Sequence, residues 1–123
     1  MVMRHSGKWH LFFSCWKKMV SQPWIDQHIV GKVRRADFSD NGLYHYEASQ
    51  PEGPFEPSPH GAIVENSGKM GLYGTQLVRG LGWREGDELD VIGWFTQRNA
   101  LAIDGQIGLR WPVGGSPSMY ERG

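Results

Sequence analysis

Residues 44–47 (YHYE) carry the side-chain types that general acid–base catalysis requires. His45 and Glu47 are two positions apart, so in a β-strand their side chains lie close together on one face. With Arg34 or Arg35 holding a phosphate from a neighbouring strand, this pair suits RNA cleavage without a metal ion. One alternative function is therefore a small metal-independent endoribonuclease or toxin that uses His45 and Glu47. The simpler interpretation of the same residues is an ordinary surface strand.

The remaining histidines show no spacing that is typical of a metal site. No two of the five (5, 10, 28, 45 and 60) are four residues apart, and His5 and His10 have no acidic residue nearby in the sequence. The single cysteine, Cys15, excludes an internal disulfide and a cysteine-rich zinc site, and it fits a reducing cytoplasm. The sequence therefore predicts no metal, no cofactor and a cytoplasmic protein. Ser-His-Asp, P-loop and Rossmann patterns are also absent from the sequence.

Charge is distributed unevenly along the chain, although the net charge is zero. Residues 1–36 carry seven basic residues and one acidic residue, a net charge of +6, whereas residues 37–123 carry a net charge of −6. Such asymmetry indicates either a basic face that contacts nucleic acid or two regions that attract each other within a fold or dimer. The basic residues beside the predicted hairpin are candidate DNA contacts, namely Lys32, Arg34 and Arg35.

Length and composition indicate one folded domain. The chain has 123 residues, enough for a single core, and 24 of them are glycine or proline. Six tryptophans and five phenylalanines argue against disorder, so the composition favours a compact, turn-rich domain with much β-structure. No apolar run approaches the ~20 residues that cross a bilayer, and residues 11–16 are too short and too polar for a signal-peptide core. We therefore expect neither a membrane partner nor export.

The first 22 residues combine basic and aromatic side chains at helical spacing. Their apolar positions are three and four residues apart, which predicts a helix from Ser6 that Pro23 prevents from continuing past Gln22. A short second helix over 23–32 is one interpretation of the next segment, and a strand starting at Ile29 is the other. A stacking platform for nucleic acid, rather than a core stripe, is an alternative role for the aromatic residues Trp9, Phe12 and Trp16 with the adjacent Lys17 and Lys18.

Four regions follow from turn and breaker residues. Residues 1–48 form a basic, aromatic region that ends in a hairpin with a turn at 39–42 (SDNG). Residues 49–61 contain four prolines and are expected to be a linker or loop. Residues 62–111 form a β unit, and residues 112–123 are expected to be a flexible tail.

The β unit contains a specific order of elements between residues 62 and 103. A basic residue and a short apolar strand (69–73) precede a helical turn from Thr75 through Leu81 that ends at Gly82. The segment 81–91 (LGWREGDELDV) then places a Gly-Asp turn before a strand with Leu89 and Val91 on one face. A turn at 97–99 leads to a last strand that contains Leu101 and Ile103.

This order resembles the swapped-hairpin DNA-binding domain of the AbrB/SpoVT/MazE family. The resemblance implies that residues 62–103 form a small β-barrel unit from the interleaved hairpins of two chains. Together with the N-terminal helix or helices and the β-hairpin predicted above, this unit gives an α+β fold. The resemblance also implies that Lys69, Arg79 and Arg84 contact DNA. A shared dimer core would consist of Leu72, Leu77, Leu81, Trp83, Leu89, Val91 and Ile103.

The predicted function is accordingly a non-enzymatic, double-stranded DNA-binding protein. The resemblance implies a homodimer that acts as a small transcriptional regulator or antitoxin-like protein. The main alternative is a phage-type inhibitor module that binds a protein partner, because the acidic second half and the many aromatic residues also suit such a surface.

Overall fold

A computed structural model describes residues 1–29 and 41–123. Within these ranges the chain is mostly β-structure, with one seven-residue α-helix, one short helix and one 3₁₀ turn (Lys17–Met19). The helices are α1 (Gln22–His28) and α2 (Ser67–Met70). The strands are β1 (Val2–His5), β2 (Lys8–Trp16), β3 (Asn41–Ala48), β4 (Glu56–Pro57), β5 (Leu72–Val78), β6 (Leu89–Phe95), β7 (Ala100–Ala102), β8 (Ile107–Arg110) and β9 (Ser118–Glu121).

The first sheet is antiparallel and has the strand order β1-β2-β3-β4. A tight turn joins β1 to β2, and both of its central residues, Ser6 and Gly7, have positive φ angles of 52° and 77°. Two consecutive positive φ angles match the right-handed twist of the flanking strands, so this turn supports the hairpin. Strand β2 then pairs with β3 along its whole length, from Trp9 opposite Ala48 to Trp16 opposite Asn41.

The second sheet has the order β5-β6-β8-β9, and β7 pairs with the far end of β6. Alternate residues of β6 are buried, as expected for a strand with one face on a core. The pairing of β5 with β6 is interrupted between Tyr73 and Gln76, where Gly74 adopts a φ angle of +63°. This bulge bends β5 without ending it.

One hydrophobic core lies between the two sheets. The first sheet contributes Phe12 and Leu43, and the second contributes Leu72 and Leu109, all at most 2% exposed. Trp111, which follows β8, is 1% exposed and packs in the same core. A smaller cluster on the opposite face of the first sheet packs α1 against Tyr44. Strands β2 and β3 are therefore covered on both faces.

The predicted α+β class is wrong, and so is the predicted helix from Ser6 to Gln22. Residues 6–19 form the turn after β1, strand β2 and a 3₁₀ turn, and α1 begins only at Gln22. The double covering of β2 explains the error, because Phe12 faces the second sheet while Phe13 faces α1. A strand with apolar residues on both faces loses its period of two and mimics a helical pattern. Of the two interpretations of the next segment, the short helix is confirmed, although α1 ends at His28.

The predicted swapped-hairpin barrel is also wrong, since within the described residues neither sheet closes into a barrel. The helical turn expected from Thr75 through Leu81 does not form, because residues 75–78 belong to β5, and Leu81 is fully exposed. Ile103 is exposed as well, and Trp83 is only partly buried. The other predicted core residues are buried within this single chain, namely Leu72, Leu77, Leu89 and Val91.

The predicted turn at residues 39–42 and the predicted flexible tail also differ from the structure. Asn41 and Gly42 do not form a turn but pair with Trp16 and Cys15 as the first residues of β3. Part of the expected flexible tail forms β9, in which Met119 is fully buried. The turn at 97–99 is confirmed, because it joins β6 to β7 and Asn99 has a φ angle of 50°. Residues 33–40 of the predicted hairpin lie outside the described part of the chain.

Substitutions at Leu109 and Leu81 distinguish the observed core from the predicted one. We expect Leu109→Ala to lower the free energy of unfolding by about 2–5 kcal/mol, because a fully buried side chain leaves a cavity. Leu81→Ala should change it by less than about 0.5 kcal/mol, since that side chain has no burial to lose. Urea denaturation measures both values, and a larger loss at Leu81 would contradict the fold.

Candidate functional site

Three metal-ligating side chains meet where β2 pairs with β3. The register places His10 directly opposite Glu47, and Phe12 directly opposite His45. Because side chains alternate along a strand, His10, His45 and Glu47 all project from one face of the sheet. One ligand atom from each of the three residues lies within 4.8 Å of the other two. The sequence prediction that His45 and Glu47 lie close together on one strand face is confirmed.

Aromatic rings enclose the two imidazoles. His10 is 5% exposed and His45 is 1% exposed. The ring of Phe12 stacks on His45 at a centroid distance of 4.7 Å, and the Trp111 ring meets His10 edge-on at 4.6 Å. His5 in turn stacks on Trp111 at 3.8 Å. The imidazoles therefore have fixed orientations in an apolar environment.

Hydrogen bonds define the protonation of both imidazoles. Nε2 of His10 lies 2.9 Å from the carbonyl oxygen of His5, and a carbonyl only accepts, so this nitrogen carries a hydrogen. In neutral His10 the other nitrogen, Nδ1, is consequently an acceptor, and Nε2 of His45 donates to it at 2.8 Å. This assignment leaves Nδ1 of His45 as a buried lone pair without a hydrogen-bond partner.

Burial keeps the imidazoles uncharged. Loss of solvation, with a smaller contribution from the neighbouring His10, lowers the pKa of His45 to about 3. Loss of solvation likewise lowers the pKa of His10 and of His5 below the usual value of 6.5. Neutral imidazoles keep a lone pair on one nitrogen, and that lone pair is what a metal ion or a proton requires.

Glu47 links the buried imidazoles to the protein surface. Its Oε1 accepts a hydrogen bond from the ammonium of Lys8 at 3.0 Å, and its Oε2 lies 4.0 Å from Nδ1 of His10. The Glu47 side chain is 10% exposed and that of Lys8 is 53% exposed. The carboxylate therefore faces the histidines on one side and an exposed cation on the other.

A cavity of about 130 Å³ opens beside the cluster. A larger cavity of about 530 Å³ adjoins it and shares Lys8 and Glu47, but its remaining lining comes from the proline-rich segment 48–59. The smaller cavity, unlike the larger one, is lined by the buried imidazoles of His5 and His10. Its lining residues are His5, Ser6, Lys8, His10, Glu47, His60, Trp111, Gly114 and Gly115.

The donor set fits a zinc-class divalent ion. Two imidazole nitrogens and one carboxylate are a common three-ligand set for such ions, with a further position left open. A tetrahedral centre with bonds of ~2.0–2.1 Å separates its ligand atoms by roughly 3.3 Å. The separations here are 2.8 Å between Nδ1 of His10 and Nε2 of His45 and 4.0 Å between Nδ1 of His10 and Oε2 of Glu47. Side-chain shifts of about 0.5–0.7 Å would therefore meet that geometry. The imidazole–imidazole hydrogen bond would be replaced, and the hydrogen of His45 would move from Nε2 to Nδ1 so that Nε2 can bind the ion.

No protein-family model, curated protein or solved structure matches this chain. The chemistry of the site is therefore inferred from its own residues. Among the described helices none is long and apolar enough to cross a membrane.

The predicted DNA contacts do not form part of this cluster. Lys69 lies in α2 and Arg79 follows β5, so they flank opposite ends of a strand that spans roughly 20 Å. Arg79 stacks over the Trp83 ring at 5.3 Å, and the backbone N–H of Arg84 donates to Asp87. Lys69, Arg79 and Arg84 are exposed. The remaining predicted contacts, Lys32, Arg34 and Arg35, lie outside the described residues.

The spacing of residues along the sequence did not predict most of the histidine cluster. His10 is 37 residues from Glu47, and only the register of β2 on β3 brings them together. Lys8, His60 and Trp111 join from three further positions in the chain. The alternation of His10 with Phe12 is the one local signal, and it is visible only once residues 8–16 are assigned to a strand.

The buried histidines predict a pH-dependent stability for the metal-free protein. His45 is neutral when folded but takes up a proton near pH 6.5 when unfolded, so unfolding binds protons below that pH. The contribution of His45 to the free energy of unfolding is fully present above pH 6.5. It decreases as the pH falls towards 3, by up to about 1.4 kcal/mol per pH unit. Urea denaturation in EDTA between pH 8 and pH 5 measures the slope.

His45→Gln should reduce this slope, and the lowered pKa values of His5 and His10 should account for the slope that remains. Equal stability of the unaltered protein at pH 7 and pH 5 would contradict the assignment.

Proposed function

We propose that the protein binds a zinc-class divalent metal ion through His10, His45 and Glu47 and uses it in ester hydrolysis. The observation that carries this proposal is the convergence of three ligand atoms within 4.8 Å, two of them on buried imidazoles. A bound ion would supply Lewis acidity and would lower the pKa of a coordinated water.

The surroundings of the ligands resemble those of functional metal sites. Metal-ligating histidines usually donate their second ring N–H to a carbonyl or carboxylate, which fixes the tautomer and the ring orientation. His10 has this arrangement, because its Nε2 hydrogen points to the carbonyl oxygen of His5 and leaves Nδ1 for a ligand. Phe12 holds the His45 ring by stacking, and Lys8 restrains the Glu47 carboxylate.

The cavity suits a small anionic ester, with phosphate esters as the substrate class. The Lys8 ammonium at its edge can bind a phosphate oxygen, and the Ser6 hydroxyl and the His60 ring supply further polar groups. The larger neighbouring cavity, which shares Lys8 and Glu47, can accept the rest of the substrate. Trp111 lines this cavity, and its buried ring meets His10 edge-on.

Metal binding is tested by equilibrium dialysis against zinc followed by metal analysis. The unaltered protein should bind one zinc ion per chain at micromolar concentration. His10→Ala, His45→Ala and Glu47→Gln should each weaken binding at least tenfold, because each removes a ligand. His28→Ala is the matched control and should bind normally. Failure of the unaltered protein to bind zinc, or equal binding by all variants, would refute the metal site.

Hydrolysis is tested with bis(p-nitrophenyl) phosphate and with a short RNA. The zinc-loaded protein should cleave the phosphate ester, lose activity in EDTA and regain it with zinc. Lys8→Ala should raise KM more than it lowers kcat, since this side chain is assigned to phosphate binding. If the protein binds zinc but hydrolyses neither substrate, the proposed metal site stands and the proposed ester hydrolysis is refuted.

A metal-independent endoribonuclease is the second candidate function for the same cluster. The observation in its favour is the Lys8–Glu47 pair at 3.0 Å beside His10, which combines a carboxylate, an imidazole and a cation. His45 would then position His10, because it is fully buried and held neutral. RNA cleavage that persists in EDTA would favour this candidate over the metal-dependent one.

Duplex DNA binding by a homodimer stays a prediction from the sequence, as does the protein-binding inhibitor alternative. A gel shift with duplex DNA at low and high salt tests it, because phosphate contacts make affinity fall steeply with salt. Arg34→Ala with Arg35→Ala should weaken binding at least as much as Arg79→Ala. Light scattering tests the dimer, and a strictly monomeric protein that ignores DNA at low salt would reject both predictions.

A further inference from the structure

A row of exposed aromatic side chains crosses the outer face of the second sheet. Tyr73 of β5 and Trp94 of β6 are directly paired, and they are 46% and 39% exposed. Trp16, at the end of β2, extends the row, with its ring 6.5 Å from that of Tyr73 and 45% exposed. On the other side Trp94 pairs with Leu101 of β7, which is also exposed.

These aromatic side chains are not part of the hydrophobic core. The opposite faces of the same strands already supply Leu72, Val91 and Phe95 to the core. Large exposed apolar patches on a soluble protein usually mark a binding surface. Tyrosine and tryptophan side chains in a row provide flat rings on which planar ligands can stack.

A cavity of about 350 Å³ lies beside Trp16 and defines the chemistry of the ligand. Its lining combines the Trp16 ring, the Lys18 ammonium, the side-chain amides of Asn41 and Gln97, and Thr96. Lys18 lies over the Trp16 ring at 4.4 Å from its centroid. Among the described lining residues the charge is cationic and no carboxylate is present.

We propose that this surface, defined by Trp16, Lys18, Tyr73 and Trp94, binds single-stranded nucleic acid. Aromatic rings offer stacking to unpaired bases, the ammonium offers a contact to phosphate, and the exposed Gln97 amide can pair with base edges. A duplex keeps its bases stacked on one another, so it cannot use such rings. The cationic lining matches a polyanion, and this charge complementarity distinguishes the surface from a purely apolar protein-docking patch. The proposal is independent of the metal site.

Fluorescence anisotropy with fluorescein-labelled dT12 and rU12 in 25 mM salt tests the proposal, with a 12-base-pair duplex as comparison. Trp16→Ala and Tyr73→Ala should each weaken binding of the single strands roughly five- to hundredfold, since each removes a stacking ring. Trp16→Phe should retain most of the affinity because it keeps a ring. Lys18→Ala should weaken binding and reduce its salt dependence, whereas Arg4→Ala is the matched control in β1.

Three results would overturn the proposal. The first is no binding of either single strand at 25 mM salt, which would leave a protein partner as the occupant of the aromatic row. The second is equal binding by Trp16→Ala and the unaltered protein, which would place nucleic acid elsewhere. The third is a preference for the duplex over the single strands. Urea midpoints of all variants show whether a loss of binding reflects a loss of folding.

Discussion

The pairing of β2 with β3 is the constraint on which the rest of the structure depends. Its eight residue pairs run from Trp9 opposite Ala48 to Trp16 opposite Asn41 without a break. A slip of one residue would turn His10 and Phe12 away from the second sheet and towards α1. That slip would bury the imidazoles against a different surface and expose Phe12. The hydrophobic core and the histidine cluster therefore depend on the same register of β2 on β3.

Stability and chemistry are coupled at the histidine cluster. Neutral imidazoles in an apolar environment cost less than charged ones, but each buried nitrogen still needs a partner. His10 meets this requirement through His5 and His45, whereas Nδ1 of His45 has no partner in the described structure. Most buried polar atoms have a partner, and a catalytic or ion-binding role is among the reasons for an exception. Trp111 ties the cluster to the second sheet, so both sheets hold the site in place.

The sequence predicted what is local and failed where contacts are distant. The closeness of His45 and Glu47, the strand with Leu89 and Val91, and the turn at 97–99 each depend on a few neighbouring residues. The N-terminal helix failed because two packing partners give β2 apolar residues on both faces. The helical turn from Thr75 was predicted from Thr75 as a cap and Gly82 as an end, and it failed because strand β5 continues past a bulge at Gly74. His10 could not be assigned to the cluster without the strand register.

Strand β2 also connects the two candidate sites and keeps them apart. His10 is near its start and Trp16 is its last residue, so the two side chains are separated by roughly 20 Å of extended chain. They project from the sheet at positions with different neighbours: Trp111 and Glu47 near His10, and Tyr73 near Trp16. Substitutions at this separation usually have independent effects on stability. A change at Trp16 that removed nucleic-acid binding would consequently leave the histidine cluster intact, and loss of a metal ligand would leave the aromatic row intact.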